Sequence, residues 1–337
     1  MNVSALLLAS ACSAAPILCA QQVSPQATVS VKTIISAESN LSQPMAPMKS
    51  AICDGAGNIY AIQPFTRTDL RLPQIQKITR DAKLAASFRV PETGPGEVRD
   101  GFVDHDGKAY LLAITPLETH VLAFAPGGSL LTTTKLELPP RSVEPWHLAV
   151  FRSGGYLLVG QTGIHEARTP FTAVFAKDGK LIKKIYEPED EEARQKGELN
   201  AQPLTIVRND NNFVISGEAA SGSDGNVYLL RGGYPALVYV ISPTGDVLRK
   251  LRIDAGNREL VANSIKSYAG RLAIGFGWLG GVHQNLIKVL DLEGNPIADY
   301  EVGSDEYSML ACYDSEGFTM IPAHSENKLH LLKAKLP

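Results

Sequence analysis

The sequence predicts an all-β domain folded as a six-bladed β-propeller with four-stranded blades, its ring closed by the N-terminal strand joining the last blade. Three observations predict it. A short apolar run, a Gly-bearing turn and a second apolar run recur six times, with turn glycines at 57, 107, 154, 225, 270 and 317. The spacings are therefore 50, 47, 71, 45 and 47, a period that suits one four-stranded blade per repeat. Runs such as Ala236-Leu237-Val238-Tyr239-Val240-Ile241 are apolar at every position. That pattern suits a strand buried on both faces by neighbouring blades.

The units read in order as follows. Ala51–Tyr60 forms the first hairpin, turning at Asp54-Gly55-Ala56-Gly57, and Phe102–Tyr110 the second, turning at His105-Asp106-Gly107. Leu148–Tyr156, Ser223–Tyr228, Ile265–Leu272 and Ala311–Phe318 continue the series. Glycine supplies the positive φ that such turns require. A further hairpin follows in five units, turning near Asp81, Gly127, Gly179, Gly245 and Gly294. The 71-residue gap holds an insertion near 187–213, which opens with six acids between Glu187 and Glu198 against Arg194 and Lys196. A charge run of this kind reads as a solvated face. The last unit lacks one strand, and Val29–Ile35 is a spare strand at the other end. Pairing the two removes two open edges. The domain so predicted covers 29–337, behind a tail at 21–28.

Residues 1–20 carry no charged side chain, and Val3–Ala15 is small and apolar. Pro16 ends the run, and Leu18 and Ala20 precede a cut after Ala20. This reads as a signal peptide, although it lacks a basic residue ahead of its core. The mature chain is expected in the periplasm or outside the cell, without a transmembrane span. Composition excludes other classes. Hydrophobic residues at 44% and charged residues at 20% exclude a disordered chain. Lys+Arg 32 against Asp+Glu 35 argues against nucleic acid as a partner.

Gly94-Pro95-Gly96-Glu97, together with the repeat, resembles the six-bladed propellers of the NHL and TolB-like group, secreted bacterial type. The resemblance spans about residues 29–337 and implies the fold. Its members include lactonases, lyases, sugar dehydrogenases and pure binding modules, so it does not select a function.

Loops between the second and third strands of a blade, and between successive blades, share one face around the channel. That face is expected to carry the site. The inter-strand loops offer Arg67, His165, Arg168, Tyr234, Trp278, His283 and His324. The inter-blade loops offer Glu97, Arg99, Trp146 and His147. Trp and Arg are frequent binding anchors, and His titrates or ligates near neutral pH. Solvated loop residues would look the same. No HExxH, CxxC, GxSxG or phosphate-loop motif occurs, so no metal site and no cofactor are predicted, although convergent carboxylates and histidines could hold Ca or Zn. Asp54, Asp104, Asp224 and Asp314 read as turn formers. The expected function is an exported, monomeric binding or interaction scaffold for a protein, peptide or carbohydrate. The alternatives are a metal-assisted hydrolase or lyase of the lactonase-like type, or a sugar dehydrogenase.

Cys53 and Cys312 are the cysteines beyond the leader. In the repeat alignment they stand one position out of register, hence on opposite faces of the first and last blades. Those faces meet in a closed ring. The pair is expected to be neighbours, either as a disulfide or as two buried thiols.

Overall fold

The computed structural model describes residues 26–29, 31–37, 50–62, 75–80, 83–91, 97–115, 117–138, 143–162, 169–185, 218–232, 235–278, 284–303, 308–322 and 329–336. The expected leader at 1–20 and the whole insertion at 187–213 lie outside them.

Two strands open the described chain, β1 (Gln26–Val29) and β2 (Val31–Ala37). Blade 1 is β3 (Ser50–Cys53), β4 (Ile59–Ile62), β5 (Ile75–Ile78) and β6 (Leu84–Phe88). Blade 2 is β7 (Glu97–Val103), β8 (Ala109–Ile114), β9 (Thr119–Phe124) and β10 (Leu130–Lys135). Blade 3 is β11 (Val143–Val150), β12 (Tyr156–Thr162), β13 (Thr169–Phe175) and β14 (Leu181–Ile185). Blade 4 is β15 (Ala219–Ser221), β16 (Val227–Arg231), β17 (Ala236–Ile241) and β18 (Val247–Ile253). Blade 5 is β19 (Leu260–Tyr268), β20 (Arg271–Trp278), β21 (Gln284–Asp291) and β22 (Pro296–Gly303). Blade 6 joins β23 (Ser308–Asp314), β24 (Gly317–Pro322) and β25 (Leu329–Lys335) to β2.

The first strands of successive blades, β3, β7, β11, β15, β19 and β23, pack side by side around one axis. Burial follows from that geometry. The middle strands are covered on both faces, and all of β17 is buried. The outer strands of blades 2 and 3 have no outer neighbour, and β10 and β14 are largely exposed. The layers between blades are filled by large side chains such as Tyr60, Phe88, Phe124, Phe171, Phe276 and Phe318. Burying one such side chain contributes about 1.5–3 kcal/mol.

The hairpin turns also stitch blades together. Asp54 accepts the amides of Ala56 and Asn58 through Oδ1, while Tyr60 donates its hydroxyl to Oδ2 at 3.0 Å. The same aspartate–tyrosine pairing recurs as Asp104–Tyr110 and Asp224–Tyr228. Burial, and then the adjacent carboxylate, hold all three phenols well above their ordinary pKa. The Tyr60 hydroxyl also lies 3.1 Å from the Gly107 carbonyl of blade 2. Gly107 has φ 79°, and a Cβ there would meet that hydroxyl at 2.7 Å, so both conformation and space demand glycine.

Ring closure differs in detail from the expected spare strand over Val29–Ile35. The outer strand of blade 6 is Val31–Ala37, antiparallel to β25 with Val31 opposite Ala334. Val29 belongs instead to β1, which runs parallel along β22 of blade 5 with Val29 opposite Val302. It is buried there with Ala273, Ile287 and Val289. One N-terminal stretch thus covers the outer edges of two successive blades. Across the junction of blades 1 and 6, Arg80 pairs with Asp314 and Glu316. Cys53 and Cys312 meet at the same junction as a bonded pair, with Cα atoms 5.4 Å apart.

Two outcomes follow. A chain lacking residues 26–37 should melt about 10 °C or more below one lacking only 26–29, because only the first exposes β25. Equal melting in calorimetry would refute closure by β2. Protein without residues 1–20, unfolded without reductant, should show no free thiol, and Cys53→Ser should cost about 2–5 kcal/mol. Two titratable thiols per chain would refute the bond.

Candidate functional site

The inner strands carry the site because they are irregular. The pairing of β7 with β8 skips a residue between Val98 and Asp100, and that of β11 with β12 between Pro145 and His147. The pairing of β19 with β20 skips one between Ala262 and Ser264, and that of β23 with β24 between Leu310 and Cys312. Arg99, Trp146, Asn263 and Ala311 are therefore bulged residues at matching places on four inner strands. A bulge bends its strand and re-aims the side chains beside it.

Two carboxylates brace these bulges from the preceding blade. Asp100 Oδ2 on blade 2 accepts the amide of Leu148 on blade 3 at 2.8 Å. Glu218, leading into blade 4, accepts the amide of Ile265 on blade 5 at 2.7 Å. Leu148 and Ile265 each stand two residues beyond a bulge.

Near the starts of β7 and β11 a polar chain forms. Arg99 Nε lies 3.0 Å from Glu97 Oε1, and Arg99 Nη1 lies 3.6 Å from Glu144 Oε1. Glu144 accepts Gln161 Nε2 at 2.5 Å on its other oxygen. That donation fixes the amide, leaving Gln161 Oε1 buried without a donor among the described residues. Deeper in, His147 Nδ1 lies 3.5 Å from Asp100 Oδ2. An acidic partner at Nδ1 favours the tautomer with its other nitrogen free to accept a proton.

One buried side chain links blades that are not neighbours. Lys266 on blade 5 is 7% exposed and ion-pairs with Glu218. It also donates to the carbonyl of Ala51 on blade 1, at 3.0 Å, past the intervening blade 6. Burial pushes the Glu218 carboxyl up, against the opposing pull of the Lys266 ammonium and a smaller one from His147. The candidate site is thus a polar cluster on the inner strands: Glu97, Arg99 and Glu144 part-exposed, Asp100 buried beside His147, and Lys266 buried between blades 5 and 1.

Of the sequence-predicted residues, the structure brings together Glu97, Arg99, Trp146 and His147. Trp278 ends β20 opposite Leu260, the first residue of blade 5's inner strand, so its backbone stands at the same end of its blade. Arg67, His165, Arg168, Tyr234, His283 and His324 lie outside the described residues. Sequence reasoning missed Asp100, Glu144, Gln161, Glu218 and Lys266. Arg99 and Trp146 both stand eight residues before their turn glycines, and that shared offset was a usable signal. Among the described residues, no group of three His, Cys, Asp or Glu side chains is placed to hold a metal ion.

Replacing Lys266 with Met should cost about 3–5 kcal/mol, since it strands a buried carboxylate. Glu218 would then have a folded-state pKa further above its unfolded value, so the folded form takes up the extra proton. The deficit in urea denaturation should be largest at neutral pH and shrink as pH falls through that folded-state pKa. A pH-independent deficit would show that Glu218 is not the stranded group.

No family model and no curated protein matches the chain. Solved structures do. A protein from Agrobacterium tumefaciens described as a calcium-binding protein, regucalcin, is 12% identical, with TM-score 0.50, covering 92% of this chain and 96% of that one. A protein from Bacteroides fragilis described as exported is 8% identical, with TM-score 0.49, covering 91% and 96%. A protein described as a gluconolactonase is 12% identical, with TM-score 0.49, covering 92% and 94%. At these identities the likeness is one of fold: the chain is a six-bladed β-propeller.

Proposed function

We propose that this chain is an exported, monomeric binding propeller of the NHL and TolB-like kind, which takes a small polyhydroxylated ligand of the carbohydrate class at the Arg99 cluster. The observation that carries this reading is the cluster itself: Arg99 between Glu97 and Glu144, with Gln161 behind. Planar guanidinium, carboxylate and amide groups, part-buried and mutually held, suit the paired hydroxyls of a sugar. Gln161, itself buried, holds the Glu144 carboxylate in place from behind. The charge-free apolar leader supports export. No calcium or zinc takes part in this reading.

One observation favours a second reading, a hydrolase or lyase: the Asp100 carboxylate beside His147 Nδ1 orients an imidazole for proton transfer.

A screen of mono- and oligosaccharides by thermal shift distinguishes the two. A binding sugar should raise the melting temperature with concentration. Arg99→Ala should abolish that rise while leaving the unliganded melting temperature within a few degrees. A sugar that stabilises wild type and Arg99→Ala equally would refute the site. Turnover of lactones that requires added Ca²⁺ or Zn²⁺ and vanishes in His147→Gln would establish the second reading instead.

A further inference from the structure

The outer wall of blades 3 and 4 is unlike the rest of the rim. Residues 177–184 and 246–253 contain seven Lys or Arg and two acids, Asp178 and Asp246, in a chain whose formal net charge is −3. Both acids are already taken, Asp178 by Lys180 at 3.3 Å and Asp246 by Lys183 at 2.6 Å. The second pair joins the two blades. The turn before β18 rests on β14, close enough that a Cβ on Gly245 would stand 2.8 Å from the Lys183 Cβ. The two outer strands therefore adjoin, and Lys184, Lys250 and Arg252 are exposed along them.

Aliphatic side chains stand among these cations. In the pairing of β13 with β14, Val174 faces Lys183 and Phe175 faces Leu181, so Ile182 is bulged out. In the pairing of β17 with β18, Val240 faces Arg249 and Ile241 faces Val247, so Leu248 is bulged out. Ile182 is 48% exposed and Leu248 52%, with Leu181 beside them at 39%.

Lysines on open edge strands also deter edge-to-edge pairing. That role does not account for the concentration here. The equally open outer strands of blades 1 and 2, Leu84–Phe88 and Leu130–Lys135, hold a single lysine between them.

We propose that this wall docks on an anionic lipid bilayer. Clustered cations attract the headgroup layer, and each contributes through the surface potential. The bulged Ile182 and Leu248 select a bilayer over a soluble polyanion, because only a bilayer offers an apolar phase to receive them.

The test uses the protein without residues 1–20, phosphatidylglycerol–phosphatidylcholine vesicles, pure phosphatidylcholine vesicles and heparin. The protein should sediment with the anionic vesicles, lose that association as salt rises, and stay in solution with the neutral ones. Lys184→Gln with Lys250→Gln should weaken the vesicle association about 30-fold. Ile182→Ser with Leu248→Ser should weaken it too, while leaving heparin retention unchanged. Both double variants should melt with the wild type, since all four side chains are exposed. Retention on heparin without vesicle binding, or vesicle binding indifferent to the Ile182/Leu248 pair, would assign the wall to a soluble polyanion and overturn the proposal. Vesicle binding indifferent to the Lys184/Lys250 pair would overturn it equally.

Discussion

Six inner strands have to converge on one axis without leaving backbone groups stranded, and the rest of the molecule depends on how that is met. Four of the strands bulge, and a bulge spoils part of its own ladder. Asp100 and Glu218 take up the amides of Leu148 and Ile265 from across the blade boundary. A buried amide left without a partner would cost about 1–3 kcal/mol. The same two carboxylates hold His147 and Lys266, so what braces the ring also furnishes the candidate site. Stability and site are therefore not separable at Asp100 or Glu218. They are more nearly so at Arg99 and Glu144, which sit outside that bracing.

The repeat made the fold legible because a blade writes its turns into the sequence. Gly57, Gly107, Gly154, Gly225, Gly270 and Gly317 all adopt positive φ. Few residue types tolerate that conformation, so the spacing survives as a readable signal. The meeting of Cys53 with Cys312 was legible for a related reason, since aligned repeats convert a one-residue offset into a choice of face. The site was legible only in part. Arg99 and Trp146 are conspicuous residue types beside turns, whereas Lys266 and Glu218 lie in ordinary-looking stretches. What makes them matter is a contact running from blade 5 to blade 1, and no local pattern encodes convergence across an axis. The strap over blade 5 escaped notice because Gln26–Val29 is four residues long and too short to carry a pattern.

The rim shows two ways of treating an open strand. Blade 5 has its edge covered by β1 and blade 6 is completed by β2. Blades 2, 3 and 4 leave β10, β14 and β18 open, each interrupted by a bulge at its second residue. That interruption spoils the straight ladder another chain would need. It also turns Leu131, Ile182 and Leu248 outward. The difference between a merely protected edge and a docking wall then lies in what surrounds the exposed aliphatic residue: threonines in blade 2, cations in blades 3 and 4.

The pairing of β2 with β25 fixes the order of events when the chain folds. Val31 is among the first described residues to leave the ribosome and Ala334 among the last, yet they face each other in one sheet. Blades 1 to 5 can each form their hairpins as they emerge, from contacts close in sequence. The ring itself cannot close until Leu329–Lys335 has been made. Until then blade 6 lacks both its third strand and its outer one. Contacts between such distant segments slow folding. A chain of this design therefore completes its last blade only at the very end of its synthesis, whatever its earlier blades have already formed.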